Sequence, residues 1–410
     1  MTRARRLCVA FLLTGTMTKR ITLDFLRTES ASGMILATAA FAAIALANSP
    51  WAGAYFGFIG APFTIQVGGF TETHSILDWI KEGLMAIFFF VVGLEIKYEI
   101  VKGELANPRR LALPVLAALG GMIVPASIYW ALNAGPGGAP QGWPTPVATD
   151  IAFAIAALAV AGPRLSPTLR VFLLTLAIVD DLGAVVLIGV LFTGHLHLAA
   201  LGGGLATLAL MGLLGRWRKA PYLFYAVGFV VLWAFTLKSG ISTSVAGVAA
   251  AATIPLDARK PGRPGVLEDF MESLHPYVAF LILPLFAFAA AGFSIGGLGI
   301  GDLFGPVALG VAAGLFIGKQ LGVFGAAALV IGLKLARRPT GARWIELYGV
   351  SLLTGIGFTM SLFIGQLAFP VGDASSQAQV RIGVVAGSIL STVAGMAVLA
   401  WAQARRGAET

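Results

Sequence analysis

The chain has 410 residues, of which 58% are hydrophobic and only 11% are charged. Soluble domains carry roughly 25% charged residues, so this chain cannot cover a water-facing surface and its main solvent must be lipid. A single cysteine, Cys8, excludes an internal disulfide, and four scattered histidines argue against a zinc site. The formal net charge of +9 does not indicate nucleic-acid binding, because the basic residues lie in short loops between apolar runs.

The first thirty residues form a separate basic segment. Three arginines precede a short apolar run, Leu7 to Leu13, which resembles a signal-peptide core. No small-residue cleavage site follows this run, so we favour a basic cytoplasmic tail over residues 1–30 rather than a cleaved signal. Met17, which two basic residues follow closely, offers an alternative start of the chain.

Long apolar segments dominate the rest of the chain. A membrane-spanning helix needs about 20 apolar residues. About twelve segments meet this criterion, near 32–49, 79–98, 111–133, 144–162, 168–192, 196–214, 221–237, 240–255, 276–294, 305–332, 346–368 and 382–403. They predict an all-α polytopic membrane protein with one transmembrane domain over residues 31–404 and a cytoplasmic tail over 405–410. The alternating stretch PFTIQVGG, Pro62 to Gly69, predicts a small β-hairpin on the outer face.

The basic residues predict the orientation of these spans. With twelve spans, all but four of the 28 lysines and arginines fall on the same side of the membrane. The exceptions are Lys81, Lys238, Lys319 and Arg381. The positive-inside rule makes the shared side cytoplasmic and places both termini in the cytoplasm.

Two adjacent aspartates, Asp180 and Asp181, interrupt the apolar stretch LLTLAIVDDLGAVVLIGVLF. Neighbours on a helix point about 100° apart, so the two side chains can flank one cavity. Like charges this close disfavour joint ionisation, and protons would compete with a small cation such as Na+ or Li+ for the same oxygens. The alternative is a structural pair satisfied by Lys319, which lies deep in span 10. We favour an ion site, because adjacent aspartates are a poor way to build a salt bridge.

Two spans carry signals of a helix break. In PTPVATDIAFA two prolines precede Thr149 and Asp150, which favours a break at that step; a capping aspartate is the alternative. In LLTGIGFTMSLF the glycines Gly355 and Gly357 bracket one residue, which on its own is also typical of close helix packing. Paired breaks in corresponding positions, with spans 3–5 and 10–12 running in opposite directions, predict inverted-topology repeats around a transport site.

Other titratable residues gather at the inner ends of spans 2 and 9. Glu95 and Glu99 are four residues apart on one helix face, so they can line a cytoplasmic vestibule or merely end a solvated helix. The predicted inner loop before span 9 contains Glu268, Asp269, Glu272 and His275. His275 titrates near neutral pH, although a single loop histidine is usually just solvated.

Several motifs together resemble the bacterial NhaA sodium/proton antiporter family. They are KEGLMAIFFFVVGLEIKYE, VATDIAFAIAAL, FLLTLAIVDDLGAVVLI, LHPYVAFLILPLFAFAAAG, IGKQLGV and GIGFTMSLFI. The resemblance implies twelve spans, with discontinuous spans 4 and 11 that cross at mid-membrane. It also implies electrogenic, pH-regulated exchange of Na+ or Li+ for protons across the bacterial inner membrane, without a cofactor.

The resemblance also implies roles for particular residues. Asp180 and Asp181 match the pair that carries cation and protons, Thr149 and Asp150 match the polar residues of the span-4 break, and Lys319 matches the lysine that pairs with the first aspartate. The pH-sensing candidates are Glu82, Glu95, Glu99, Glu272 and His275. The chain departs from the family pattern around these candidates, at Glu82, Tyr98, the pair Met271 and Glu272, and Ser242. These departures leave the pH set-point open.

The sequence therefore predicts a secondary transporter rather than an enzyme. Its partners would be Na+, Li+, protons and the lipid bilayer, without nucleic acid, and a homodimer could form through the outer hairpin. A sodium-coupled solute symporter is the main alternative. An intramembrane aspartyl protease is a weaker one, because the expected G-x-G-D element is absent and GIGF ends in Phe358.

Overall fold

The described part of the chain is almost entirely helical. The computed structural model describes residues 31–409 with gaps at 68–69, 107, 163, 195, 218–219, 257–264, 295, 297–300, 302–303 and 370–371. The predicted basic tail over residues 1–30 and the alternative start at Met17 lie outside the described residues.

The helices follow the apolar segments of the sequence. The first ten are α1 (Ala31–Ala47), α2 (Ala52–Ile59), α3 (Ile76–Trp79), α4 (Met85–Val101), α5 (Pro108–Asn133), α6 (Ile151–Ala161), α7 (Pro167–Leu191), α8 (Leu198–Arg216), α9 (Tyr222–Ser239) and α10 (Thr243–Thr253). They are followed by α11 (Val266–Tyr277), α12 (Leu283–Ala290), α13 (Pro306–Ala313), α14 (Lys319–Gly332), α15 (Trp344–Leu353), α16 (Phe358–Ala368) and α17 (Ala374–Glu409). Short 3-10 turns lie at Glu104–Ala106 and Pro140–Gly142.

Within the described residues, three helix junctions are π-helical turns, in which each backbone hydrogen bond joins residues five apart rather than four. They are Ile80–Leu84 between α3 and α4, Val278–Ile282 between α11 and α12, and Gly314–Gly318 between α13 and α14. Such turns are rare and frequently lie at functional sites. The third ends immediately before Lys319.

Length and composition support fewer spans than the twelve predicted. Within the described residues, seven helical stretches are long and apolar enough to cross a membrane, or up to nine if two bent pairs each count as one span. The bent pairs are α1 with α2, at 117°, and α15 with α16, at 44°. The predicted spans 4 and 8 contain only the short helices α6 and α10.

The predicted hairpin is confirmed as a two-stranded antiparallel sheet. Strands β1 (Pro62–Val67) and β2 (Phe70–Ser75) pair so that Pro62 lies opposite Ser75. The hairpin extends beyond the predicted Gly69 because a second alternating run, FTETHS, follows the glycines. The Trp79 indole N–H donates to the Phe63 carbonyl at 2.7 Å and anchors β1 to the following helix.

The predicted start of span 9 at residue 276 is wrong. The helix begins ten residues earlier, at Val266. The Glu268 side chain accepts a hydrogen bond from the Gly265 amide at 2.9 Å, which caps the new N-terminus. The acidic residues and His275 therefore lie on the first turns of a continuous helix rather than in a loop.

Several pairs of helices pack with their backbones in direct contact, including α5 with α14 and α4 with α10. A Cβ atom on Gly120 of α5 would collide with the Gly322 carbonyl of α14, and one on Gly322 would collide with the Gly120 carbonyl. A Cβ atom on Gly247 of α10 would likewise collide with the Ala86 carbonyl of α4. Contacts through small residues are typical of membrane helix pairs. We call these contacts the α5–α14 seam and the α4–α10 seam.

Candidate functional site

The non-helical segment before α6 meets the break between α15 and α16. The chain before α6 is non-helical through Asp150, and α15 and α16 are separated by residues 354–357. The Asp150 amide donates to the Ile356 carbonyl at 2.6 Å. Gly357 allows this approach, because a Cβ atom there would lie 3.1 Å from the Ala148 carbonyl. The two interruptions, which the sequence places about two hundred residues apart, therefore meet at one point.

Asp150 connects the N-terminal ends of two half-helices at this crossing. Its Oδ1 accepts a hydrogen bond from the Phe153 amide at 3.2 Å, which caps α6. Its Oδ2 accepts hydrogen bonds from the Thr359 amide at 2.9 Å and from the Thr359 hydroxyl at 2.5 Å, at the start of α16. Helix N-termini carry partial positive charge, so one buried carboxylate balances both ends.

Asp180 is enclosed by polar groups from two other segments. The Lys319 ammonium of α14 contacts Asp180 Oδ2, and both side chains are fully buried. The Thr149 hydroxyl lies 2.7 Å from the same oxygen and 2.8 Å from the Thr354 carbonyl, so it can donate to either acceptor. Asp180 Oδ1 has no hydrogen-bond partner among the described residues.

Asp181 has a different environment from its neighbour. Its side chain is only 1% exposed, yet it lines a cavity of about 450 Å³ that Asp180 does not reach. Asp181 Oδ1 has no hydrogen-bond partner within the described ranges. Asp150 and Thr359 line the same cavity. The adjacent aspartates thus have different surroundings: Asp180 is held by Lys319, and Asp181 lines the cavity.

Four of the five pH-sensing candidates line the same cavity. Glu95, Glu99, Glu272 and His275 line it, from α4 and α11. His275 Nδ1 lies 3.8 Å from Glu95 Oε1. Glu82 does not join them. It lies in the π-helical turn before α4, where the Thr243 hydroxyl is 2.8 Å from Glu82 Oε2.

Sequence reasoning missed Thr359 and the carbonyl groups at the crossing. Thr359 gives Asp150 two hydrogen bonds, and the carbonyls of Thr354 and Ile356 accept from the span-4 segment. The available signal was the row of hydroxyl residues in TGIGFTMS, which is unusual in an apolar span. The predicted Gly355 and Gly357 lie in the interruption itself, beside these acceptors.

The charge balance determines what this arrangement can hold. Asp150, Asp180 and Asp181 supply three carboxylates and Lys319 supplies one ammonium, so the fully ionised cluster is anionic. Buried charge without compensation is strongly disfavoured. Protons or a small cation can supply the missing positive charge. Among the described residues, no three His, Cys, Asp or Glu side chains are grouped to hold a metal ion as a resident cofactor.

Comparisons with known proteins show the family to which this chain belongs. The family model described as Na+/H+ antiporter 1 matches residues 23–399. The Na(+)/H(+) antiporter NhaA of Bordetella parapertussis is 48% identical over 92% of this chain and 95% of its own length. The protein of that name from Rhodospirillum rubrum is 49% identical over 92% of this chain and 96% of its own length. The one from Pseudomonas putida is 44% identical, again over 92% and 96%. Because the family model covers nearly the whole chain, this protein belongs to the Na+/H+ antiporter 1 family.

Proposed function

We propose that this protein exports Na+ from the bacterial cytoplasm in exchange for protons, with Asp180 and Asp181 as the carrying groups. The observation that carries the proposal is the division between the two aspartates. Asp181 faces a cavity, and Asp180 is tied to Lys319 behind it. A cation that enters the cavity meets Asp181 before Asp180, whose Oδ1 has no hydrogen-bond partner among the described residues.

The exchange proceeds by alternating access. In the inward-facing state the pair releases protons to the cytoplasm, and a partly dehydrated sodium ion takes their place on the carboxylate oxygens. The crossing then rearranges and the site opens outward, where protons displace sodium. Each ligand stabilises the loaded site by supplying positive charge, so protons and sodium compete, which couples their opposite flows.

The exchange is electrogenic and extends to Li+. A sodium ion held between two carboxylates excludes protons from both, whereas the same two groups can carry up to two protons. More charge then moves inward with protons than outward with sodium. Carboxylate and hydroxyl oxygens are hard ligands, which suit Li+ as well as Na+.

The proposed architecture is twelve spans in the inner membrane with both termini in the cytoplasm. The meeting of two interrupted helices supports inverted repeats over spans 3–5 and 10–12, because such sites form where discontinuous helices of two repeats cross. We further propose a homodimer through the hairpin of β1 and β2. A two-stranded sheet offers edge backbone groups for pairing with a second chain.

The part of the cavity wall that α4 and α11 form is the proposed site of pH regulation. The ion pair between His275 and Glu95 forms only when the imidazole is protonated, so losing that proton breaks the pair. Glu99 and Glu272 add acidic groups to the same wall. Glu82 is left out of this proposal, because it contacts Thr243 away from the cavity.

The test is sodium-dependent release of a proton gradient in vesicles. Purified protein is reconstituted, a gradient is recorded with a quenched dye, and Na+, Li+ or K+ is added over a range of pH. We expect dequenching with Na+ and Li+ but not with K+. Uptake of an organic solute driven by sodium, without proton movement, would instead support a symporter. No response to Na+ at any pH would refute the proposal.

A further inference from the structure

The last turns of α17 contact the far ends of both half-helices that frame the site. Half-helix α6 starts at the crossing and ends at Ala161, and α15 starts at Trp344 and ends at the crossing. Each therefore has one end at the aspartates and one end distant from them. The distant ends meet α17 near residues 403–406, next to a segment whose composition predicts only a tail.

Gln403 holds the distant end of α6. Its amide nitrogen donates to the Ala161 carbonyl at 2.5 Å, and its amide oxygen accepts from the Arg164 amide at 3.4 Å. The last carbonyl groups of a helix lack partners within the helix. Gln403 therefore supplies a bond that α6 cannot make for itself.

Arg406 holds the distant end of α15. Its Nη2 donates to Glu346 Oε2 at 2.8 Å and to the Gly341 carbonyl, and its Nε lies 2.7 Å from Glu346 Oε1. Glu346 is fully buried and also accepts from the Arg343 amide at 2.8 Å, which caps α15. Without Arg406 the structure would keep a buried carboxylate that has lost its countercharge.

Gln403 and Arg406 make these two contacts from the same helix, α17, which also packs along α15 as far as the break. Gln403 and Arg406 are three residues apart and share a helix face. From there towards the crossing, α17 packs closely on α15 through glycines: a Cβ atom on Gly349 would lie 2.7 Å from Leu399 Cδ2, and one on Gly395 would lie 3.3 Å from the Gly349 carbonyl. At the break itself, Gly355 meets Ser391 of α17 just as closely.

We propose that Gln403 and Arg406 are positioning residues that fix the distant ends of α6 and α15, so that movement at the site is confined to the two interruptions. This inference rests on the proposed exchange at Asp180 and Asp181. If either distant end drifts, the bonds from Asp150 to Ile356 and from Thr149 to Thr354 lose their register, and the cation site loosens although none of its own residues has changed.

The experiment compares Gln403→Ala, Arg406→Ala and their combination with a matched control, Arg405→Ala. Arg405 is exposed, stacks on Trp401 at 4.1 Å and contacts neither half-helix end in the described structure. Sodium KM, maximal rate and pH profile are measured in vesicles. Amide hydrogen exchange of α6 and α15 is measured on the same purified protein, together with its melting temperature.

We expect the combined variant to raise the sodium KM about tenfold, and to speed amide exchange in α6 and α15 beyond the other helices. Arg405→Ala should match the wild type. The pair Glu346→Gln with Arg406→Gln removes the buried carboxylate together with its half-buried guanidinium partner, so its KM should return to within about threefold of the wild-type value.

The proposal is overturned if the combined variant keeps the wild-type KM and pH profile, if it loses only melting temperature, or if Arg405→Ala has the same effect. Failure of the proposed function gives a different result. If the wild type itself does not exchange sodium for protons, faster amide exchange confined to α6 and α15 in the variant still supports the positioning role, and unchanged amide exchange refutes it.

Discussion

Replacing Thr359 with valine removes one hydroxyl from the crossing and changes little else in shape. In the wild type, Asp150 Oδ2 accepts two hydrogen bonds from Thr359, one from the amide at 2.9 Å and one from the hydroxyl at 2.5 Å. Only the first survives in Thr359→Val. Hydrogen bonds to charged groups contribute about 1.5–3 kcal/mol, and since 1.4 kcal/mol is a factor of ten, we expect the sodium KM to rise about 10- to 100-fold.

The physical reason is the ionised state of Asp150. With one donor fewer, the buried carboxylate is less stable as an anion, so the cavity attracts sodium less strongly and α16 is held less firmly. The assay is sodium-induced dequenching in vesicles, with KM measured at several pH values. Thr359→Ser keeps the hydroxyl and should retain a KM near the wild-type value.

A second control lies in the same break. Thr354 is also fully buried, but its hydroxyl donates to the Ser351 carbonyl of its own helix at 2.7 Å. Thr354→Val should therefore change KM far less than Thr359→Val. A wild-type KM in Thr359→Val, or equal effects of the two valine variants, would refute the assignment of Thr359 to the site.

Three further predictions concern the aspartates and their support. Asp180→Asn and Asp181→Asn should each abolish dye dequenching by sodium while leaving insertion intact, as judged by the amount of protein in the membrane; dequenching in either variant contradicts the role of that carboxylate. Lys319→Gln should lower the melting temperature, because breaking a buried ion pair costs roughly 3–5 kcal/mol. Adding Asp180→Asn should restore most of that loss, and no recovery would mean that the broken ion pair is not its cause. Gly318→Ala should destabilise the folded protein by about 1–3 kcal/mol, since its Cβ atom would lie 2.6 Å from Pro125 Cα. A Cβ atom at Gly325 meets open space, so Gly325→Ala should leave the melting temperature unchanged.

The sequence could predict which residues matter but not how they face. Charged residues in apolar segments are costly, so Asp150, the aspartate pair and Lys319 stood out without any structure. The sequence could not predict which side of α7 faces the cavity, because that depends on how α7 packs against α5, α4 and α10. For that reason the division between a cavity-facing Asp181 and a lysine-bound Asp180 emerged only from the fold.

Other features depend on contacts between distant parts of the chain. The π-helical turn before Lys319 is such a case: Gly314 packs against Pro146 and Gly318 against Pro125, and local sequence does not encode either contact. The sequence predicts a start of α11 that is too late, because a run of acidic residues is typical of a loop. The hydrogen bond from the Gly265 amide to Glu268, which caps the helix, is a feature of the folded chain. The ion pair between Arg406 and Glu346 joins residues that are 60 positions apart, and no periodic pattern in the sequence predicts it.

The two backbone seams limit how such a carrier can move. Helices that touch carbonyl to Cα have no layer of side chains between them to rearrange, so α5 cannot slip along α14, and α4 cannot slip along α10. Asp181 of α7, which packs on α5, and Phe88 of α4 both line the cavity. Movement is therefore expected between the two helix pairs, where side chains of α4 and α7 line the shared cavity. We expect the α5–α14 pair to tilt slightly against the α4–α10 pair without rearrangement within either pair. This tilt would switch the side of the membrane from which ions enter.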